Sequence, residues 1–298
     1  MIDRRSFLMA AVGGVLFPRL ALSQSSNVTG VTKLTETLSL INAGTNVIAF
    51  STSDGMILVD TGSPQSAAAL KAALAAPVRT VFNTHYHLEN TASNETFGQA
   101  GAKIIAHDRT RQWMSTDYWV PAEDRYQKAR PKAARPTETF LTTGSLRAGA
   151  EQIDYGYLPL AHTSGDIYVF FKTANVLAVG DVAAPLRDPA LDYFTGAWIG
   201  GRVDAMEIVL KLSNEQTRIV PAYGGVMTRE EFKAERDVME EVRARLWKQV
   251  REGEGPKEML EGGVLNGLPR TWKDPYRFLY DAAKGLWAHH SKLDPNVV

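Results

Sequence analysis

Two histidines one residue apart, His85 and His87, stand in the stretch FNTHYHLENTASNETF over residues 82 to 97, with Glu89 and Asn90 close behind. Alternate residues at a strand end project to one side, so both rings face the same space, as a metal ion requires. The pair alone fits two hydrogen-bonded or solvent-facing histidines equally well. Two further residues strengthen the metal reading: His162 in LAHTSGD and Asp181 in LAVGDV each follow a β-rich run. Three neutral imidazoles with one open position make a catalytic zinc arrangement, and a neighbouring carboxylate can hold or orient the bound water. The chain has no cysteine, so any metal is held by nitrogen and oxygen.

Such a site needs elements that carry its residues to one rim. Residues 31 to 62 read as consecutive short strands broken at Ala43-Gly44-Thr45-Asn46 and Ser53-Asp54-Gly55. SPQSAAALKAAL reads as a helix capped by Ser63 or Ser66, and VRTVFNT as a buried strand that runs into the histidine pair. Asn94 to Ala100 reads as a helix, with Asn94 and Glu95 explained by capping, and Lys103 to Ala106 as a strand. Arg109 to Pro136, dotted with Trp113, Tyr118 and Trp119, is either a functional lid with some helix or local packing over the core. Strands return in TFLTTGSLRAG, EQIDYGYLPL and IYVFFKTANVLAVGD, a helix spans about Asp204 to Leu212, and TRIVPAY is a strand. Thr228 then caps an amphipathic helix that buries Phe232, Val238, Met239, Val242, Leu246 and Val250. This order fits a mixed α/β fold with mostly antiparallel sheets and helices outside, and no glycine-rich loop supports a nucleotide fold.

The chain has 298 residues, 44% of them hydrophobic, enough for one large or two small domains. Thirty-three basic and thirty-three acidic residues cancel, which gives neither a nucleic-acid footprint nor a polybasic lipid patch. The opening MIDRRSFLMAAVGGVLFPRLALSQS pairs Arg4 and Arg5 with an apolar run and ends in small residues, as a twin-arginine export signal does. Cleavage near Ala21 to Ser23 leaves 30 basic and 32 acidic residues, a net charge of −2. Gly13, Gly14, Pro18 and Arg19 keep the run short of the ~20 apolar residues of a membrane span. The expected location is periplasmic or secreted, with no stable membrane insertion after cleavage.

Five ordered motifs resemble the metallo-β-lactamase superfamily: LVDTG at 58 to 62, THYHLEN at 84 to 90, AHTSGD at 161 to 166, VGDV at 179 to 182 and VPAYGG at 220 to 225. The resemblance implies a four-layer αββα sandwich of two mixed sheets flanked by helices. It divides the chain into a signal peptide (1 to 23), a metallo-β-lactamase-like domain (24 to 228) and a C-terminal helical extension (229 to 298). His85, His87 and His162 match the histidines of the first metal site, Asp181 the carboxylate that bridges two metals, and Asp60 a supporting residue. The second site departs from the pattern, with Glu89 for aspartate, Asn90 for histidine and Tyr223 for the last histidine. An asparagine carbonyl is a poor zinc ligand, and a tyrosine binds well only as phenolate, with a free pKa near ~10. One zinc is therefore expected, with iron or manganese as other ions that suit nitrogen and oxygen.

The implied function is hydrolysis of a small ester, thioester, lactone or amide by a metal-bound hydroxide, its pKa lowered toward about 7. In that scheme Asp181 orients the water, Glu89 is the general base and Tyr223 hydrogen-bonds the developing oxyanion. The alternative is a non-catalytic metal- or partner-binding protein whose second site has degenerated, and a third reading is iron-based redox chemistry. His107 reads as a structural or rim histidine, and His289 and His290 as a solvated helix end. Trp198, Asp192 and Tyr193 are placed either to line a substrate cleft or to pack.

Overall fold

The computed structural model describes residues 30 to 120 and 125 to 293, so the export signal lies outside the described residues. The first sheet orders β1 (Val31–Lys33), β2 (Leu38–Asn42), β3 (Asn46–Thr52), β4 (Gly55–Val59), β5 (Val78–Phe82), β6 (Lys103–His107) and β9 (Glu138–Phe140). β7 (Tyr118–Val120) and β8 (Arg125–Gln127) form a separate antiparallel ribbon. The second sheet orders β10 (Thr143–Ala148), β11 (Glu151–Tyr157), β12 (Ile167–Phe171), β13 (Val176–Gly180) and β14 (Arg218–Pro221). The helices are α1 (Ala67–Ala73), α2 (Leu88–Thr91), α3 (Asn94–Gln99), α4 (Asp108–Ser115), α5 (Ile199–Leu212), α6 (Arg229–Arg251), α7 (Pro256–Glu261) and α8 (Pro275–Leu293). None of the described helices is long and apolar enough to cross a membrane.

The two-residue period of fully buried strands sets the layers. In β4, Ile57 and Val59 join the cluster between the sheets, while Met56 and Leu58 turn outward to Leu70 of α1 and Phe97 of α3. In β12, Ile167, Val169 and Phe171 face the first sheet, and Tyr168 and Phe170 face α5, α6 and α8. Each sheet is thus apolar on both faces and covered on both, giving helix, sheet, sheet, helix. The first sheet is less antiparallel than its short strands lead one to expect. Its β4–β5, β5–β6 and β6–β9 pairs are parallel, because the connections through α1, α3 and α4 return the chain to the same end of the sheet.

Helix α5 starts five residues before the expected Asp204, at Ile199. Its first turn holds Gly200 and Gly201, and a Cβ on Gly201 would lie only 2.4 Å from the Leu160 carbonyl oxygen, so tertiary packing sets that choice. At the start of α6, Thr228 and Glu231 form a reciprocal capping box, and Phe232, Val238, Met239, Val242 and Leu246 are buried as the periodicity predicts. Residues of α5 to α8 share one apolar cluster with β12, β13 and β14.

Candidate metal centre

Strand direction gathers the chemistry on one rim. β4 and β5 are parallel and end at Asp60 and just before His85, while β13 and β14 are parallel and lead to Asp181 and Tyr223. His162 sits in the connection from β11 to β12. Gly180 holds a left-handed φ of 55°, and a Cβ there would meet the Thr84 hydroxyl at 2.6 Å, so only glycine delivers Asp181 to this point. Asp60 also adopts a left-handed φ, 61°, and its carboxylate accepts from the Thr84 amide (2.8 Å), the Thr84 hydroxyl (2.7 Å) and the Asn90 Nδ2 (2.9 Å). It ties the ends of two strands together behind the histidines.

His85, His87 and His162 converge, each offering a ring nitrogen within 4.8 Å of the others. Their outer nitrogens are fixed by neighbours, and donor logic assigns the tautomers. The Thr84 hydroxyl spends its proton on Asp60, so it accepts from His85 Nδ1 at 3.1 Å and leaves His85 Nε2 a bare lone pair. His162 Nδ1 donates to the Ala190 carbonyl at 2.9 Å, which frees its Nε2. His87 Nε2 donates to Asp192 at 3.2 Å, which turns Nδ1 inward. Asp192 also accepts from the Tyr86 hydroxyl.

The inner face has the chemistry of a cation site. His87 Nδ1 and His162 Nε2 lie 3.0 Å apart, and His85 Nε2 and Asp181 Oδ2 are buried without hydrogen-bond partners. Asp181 Oδ2 faces the same space, 3.6 Å from His85 Nε2 and 3.9 Å from His162 Nε2. Lone pairs that crowd together need a proton or a metal between them, and three imidazoles held from behind fit a divalent ion. The first metal site is thus assembled around His85, His87 and His162.

The second does not fit. Asn90 is fully buried and points its amide nitrogen at Asp60. Burial lifts the Tyr223 hydroxyl to about 12, which keeps it a neutral phenol. Asp181 Oδ1 is already taken by Arg187, whose guanidinium carbon lies 3.8 Å over the Tyr223 ring. Glu89 is half-buried and lines a cavity beside the histidines.

Burial sets the proton economy of the centre. It drives His85 well below 6.5, with help from the neighbouring imidazoles, and His162 down to about 4 against the pull of Asp181. Burial also acts to lower His87, but hydrogen bonding and charge at Asp192, with further pull from Glu89 and Asp181, outweigh it and raise its pKa. On a falling pH, His87 is therefore the first of the three to take up a proton, and His85 and His162 stay neutral further down. A metal must expel that proton, so affinity falls as pH drops through the raised His87 pKa. Below the raised His87 pKa, a plot of log affinity against pH should have a slope of about one, steepening only as His162 titrates at about 4. Zinc titrations by calorimetry across that range check it; a slope near three would mean that all three histidines share ordinary pKa values.

The other histidines are structural. His107 accepts from the Arg109 amide at the start of α4, bonds the Leu141 carbonyl through Nε2 and stacks on Tyr157. His289 stacks on Trp198 at 3.6 Å and His290 meets Trp247 edge-on, which corrects the reading of a solvated helix end. Trp198 therefore packs. Asn94 is no cap either: it is fully buried and links Thr61, Asn83 and the Ala134 carbonyl. Asp166, in the AHTSGD motif, was not singled out, yet it accepts from the His162 and Thr163 amides and shapes the turn that presents His162.

A cavity of about 340 Å³ reaches His87, His162 and Asp192. Trp113 of α4, Tyr118 of β7 and Phe194 form an aromatic wall, with ring centroids 5.0 Å apart for Trp113 and Tyr118 and 5.6 Å for Trp113 and Phe194. Within Arg109 to Pro136, Trp113 and Tyr118 thus join the cavity rather than only covering the core.

A family model described as the metallo-beta-lactamase superfamily matches residues 42–237. Among solved structures, a metallo-beta-lactamase from Pontibacter korlensis aligns with a TM-score of 0.58 at 18% identity, over 71% of this chain and 98% of that one. The DIM-1 metallo-beta-lactamase aligns at 0.55 and 17%, over 71% and 96%. A double mutant of the sec-alkyl sulfatase PisA1 aligns at 0.63 and 13%, over 89% of this chain but 52% of that one. At such identities the structural likeness speaks for the fold alone.

Proposed function

The chain belongs to the metallo-β-lactamase superfamily, and on that premise we propose that it is an exported, zinc-dependent hydrolase of a small ester, thioester, lactone or amide. The observation that carries the reading is the convergence of three imidazole nitrogens whose outer nitrogens are held by Thr84, Ala190 and Asp192. The twin-arginine-type leader supports export to the periplasm or beyond. The cavity, with its aromatic wall and polar floor, supports a small-molecule substrate.

When bound at these nitrogens, zinc supplies Lewis acidity that polarises a carbonyl and acidifies a water. The chain's own residues do the rest. Asp192 keeps the proton of His87 on Nε2 and so holds the ring in its ligating orientation. Glu89, half-buried on the cavity wall, is placed to take up a proton at its carboxylate. Trp113, Tyr118 and Phe194 displace water from the acyl group. Asp181 turns the unpartnered Oδ2 to the inner face, and Tyr223 serves as a platform for Arg187.

A panel of esters, thioesters, lactones and amides, assayed with zinc-loaded and metal-stripped protein, tests the reading. Product formed only by the loaded protein supports it; no turnover across the panel by protein holding zinc would favour a non-catalytic binding protein, a reading that the missing second-site ligands Asn90 and Tyr223 support. Glu89→Gln is expected to cut turnover by about 10²-fold or more while leaving zinc affinity within a few-fold. An unchanged rate removes Glu89 from the proton transfer.

A further inference from the structure

The carboxylate of Asp181 is buried and divided between two neighbours. Oδ2 faces His85 and His162, whereas Oδ1 accepts from Arg187 Nη2. The guanidinium is stacked on Tyr223, and only 30% of the Arg187 side chain is exposed. Positions 89, 90, 181 and 223 are those where the family pattern places the ligands of a second metal. Between the last two of them, this chain holds an arginine head group.

The arginine is fixed from its backbone as well. Arg270 donates to the Arg187 carbonyl and, at 2.6 Å, to the Ala184 carbonyl, while Glu235 of α6 accepts from the Ala184 amide at 2.7 Å. A surface arginine that had merely swung onto a convenient carboxylate would not need these clamps. A guanidinium also stays charged throughout the range in which proteins fold, and its flat face suits an aromatic ring. A dication brought to the same place would meet a fixed positive charge and an Asp181 oxygen already engaged.

We propose that the Arg187 guanidinium takes the place of a second metal ion, making the centre a pair of one metal and one permanent organic cation. Asp181 then joins a metal to a guanidinium where it would otherwise join two metals. Tyr223 replaces an imidazole because the object it must hold is flat and cationic. Arg187 supplies positive charge and N–H donors to an oxyanion beside the metal, but it carries no exchangeable water, so the nucleophile has to come from the three-histidine side.

This inference rests on the three-histidine site binding a metal, and the test separates the two claims. The full chain, two variants and their zinc content after reloading and desalting are compared by elemental analysis. Wild type is expected to hold about one equivalent, and Asn90→His/Tyr223→His, which restores imidazoles but keeps Arg187, still about one. Adding Arg187→Ala to that pair should admit a second equivalent. Two equivalents in wild type or in the double variant would overturn the proposal, as would a single equivalent in a triple variant with native circular dichroism. Zero in wild type would instead refute the three-histidine metal site. If the triple variant does not fold, Arg187→Gln in its place keeps a hydrogen bond to Asp181 without the charge, and the same counts apply.

Discussion

Replacing His162 with alanine is expected to empty the metal centre. The side chain is one of three inward-facing nitrogens, and two imidazoles cannot hold a divalent ion in competition with water as three do. Loss of a residue that merely orients a ligand costs roughly 10–100-fold in metal affinity, so loss of the ligand itself should exceed about 100-fold. Zinc content after desalting should fall from about one equivalent to a small fraction, and hydrolysis should fall with it. The fold should survive, because the backbone amide at position 162 still donates to Asp166 at 2.7 Å and the turn keeps its shape. Elemental analysis beside circular dichroism reads both. A His162→Ala protein that keeps its zinc would place the metal elsewhere.

The second large effect is expected at Asp192, a residue that binds no metal in this scheme. It accepts a proton from His87 Nε2 at 3.2 Å and another from Tyr86, and its own pKa is held low, against burial, chiefly by the His87 hydrogen bond. Asp192→Ala frees the His87 ring to rotate and lets it take the other tautomer. Zinc affinity should drop by about 10–100-fold. Asp192→Asn keeps an acceptor for the ring N–H without the charge, so its loss should be several-fold smaller. The two variants also differ in proton accounting, since removing the carboxylate charge lowers the His87 pKa. Competition of each variant with a chromogenic zinc chelator measures the affinities. Equal losses for alanine and asparagine would show that charge, not orientation, is what Asp192 contributes.

The ligands are legible because each belongs to a short local pattern in the connection that follows a buried strand. His85 and His87 follow a buried run, and strand periodicity alone says that they share a face. The layers were legible for the same reason, since β4, β12 and β13 are apolar on both faces. What escaped lies in irregular connections. Asp192 is legible as a residue placed to line a cleft or to pack, and it does line the cavity, but its bond to His87, 105 residues away, belongs to the tertiary fold alone. Arg187 is not legible because an arginine is no metal ligand and no local motif ties it to Asp181 and Tyr223. His289 looked solvated because nothing near it in sequence announces Trp198 as its partner.

Away from the metal ligands and the Tyr86 to Glu89 segment, the cavity draws its walls mainly from three separate stretches: α4 with the β7–β8 ribbon, the loop carrying Asp192 and Phe194, and α8, which contributes Arg277 and Asp281. None of these stretches supplies one of the three inward-facing histidines. Apart from Asp192 and the Ala190 carbonyl, which hold His87 and His162, substitutions there can reshape what the chain accepts while the reacting centre stays as it is. For a lineage that must follow a shifting set of small molecules, that separation lets selectivity drift at little risk to the chemistry. For an engineer, it marks Trp113, Tyr118 and Phe194 as the positions to randomise first.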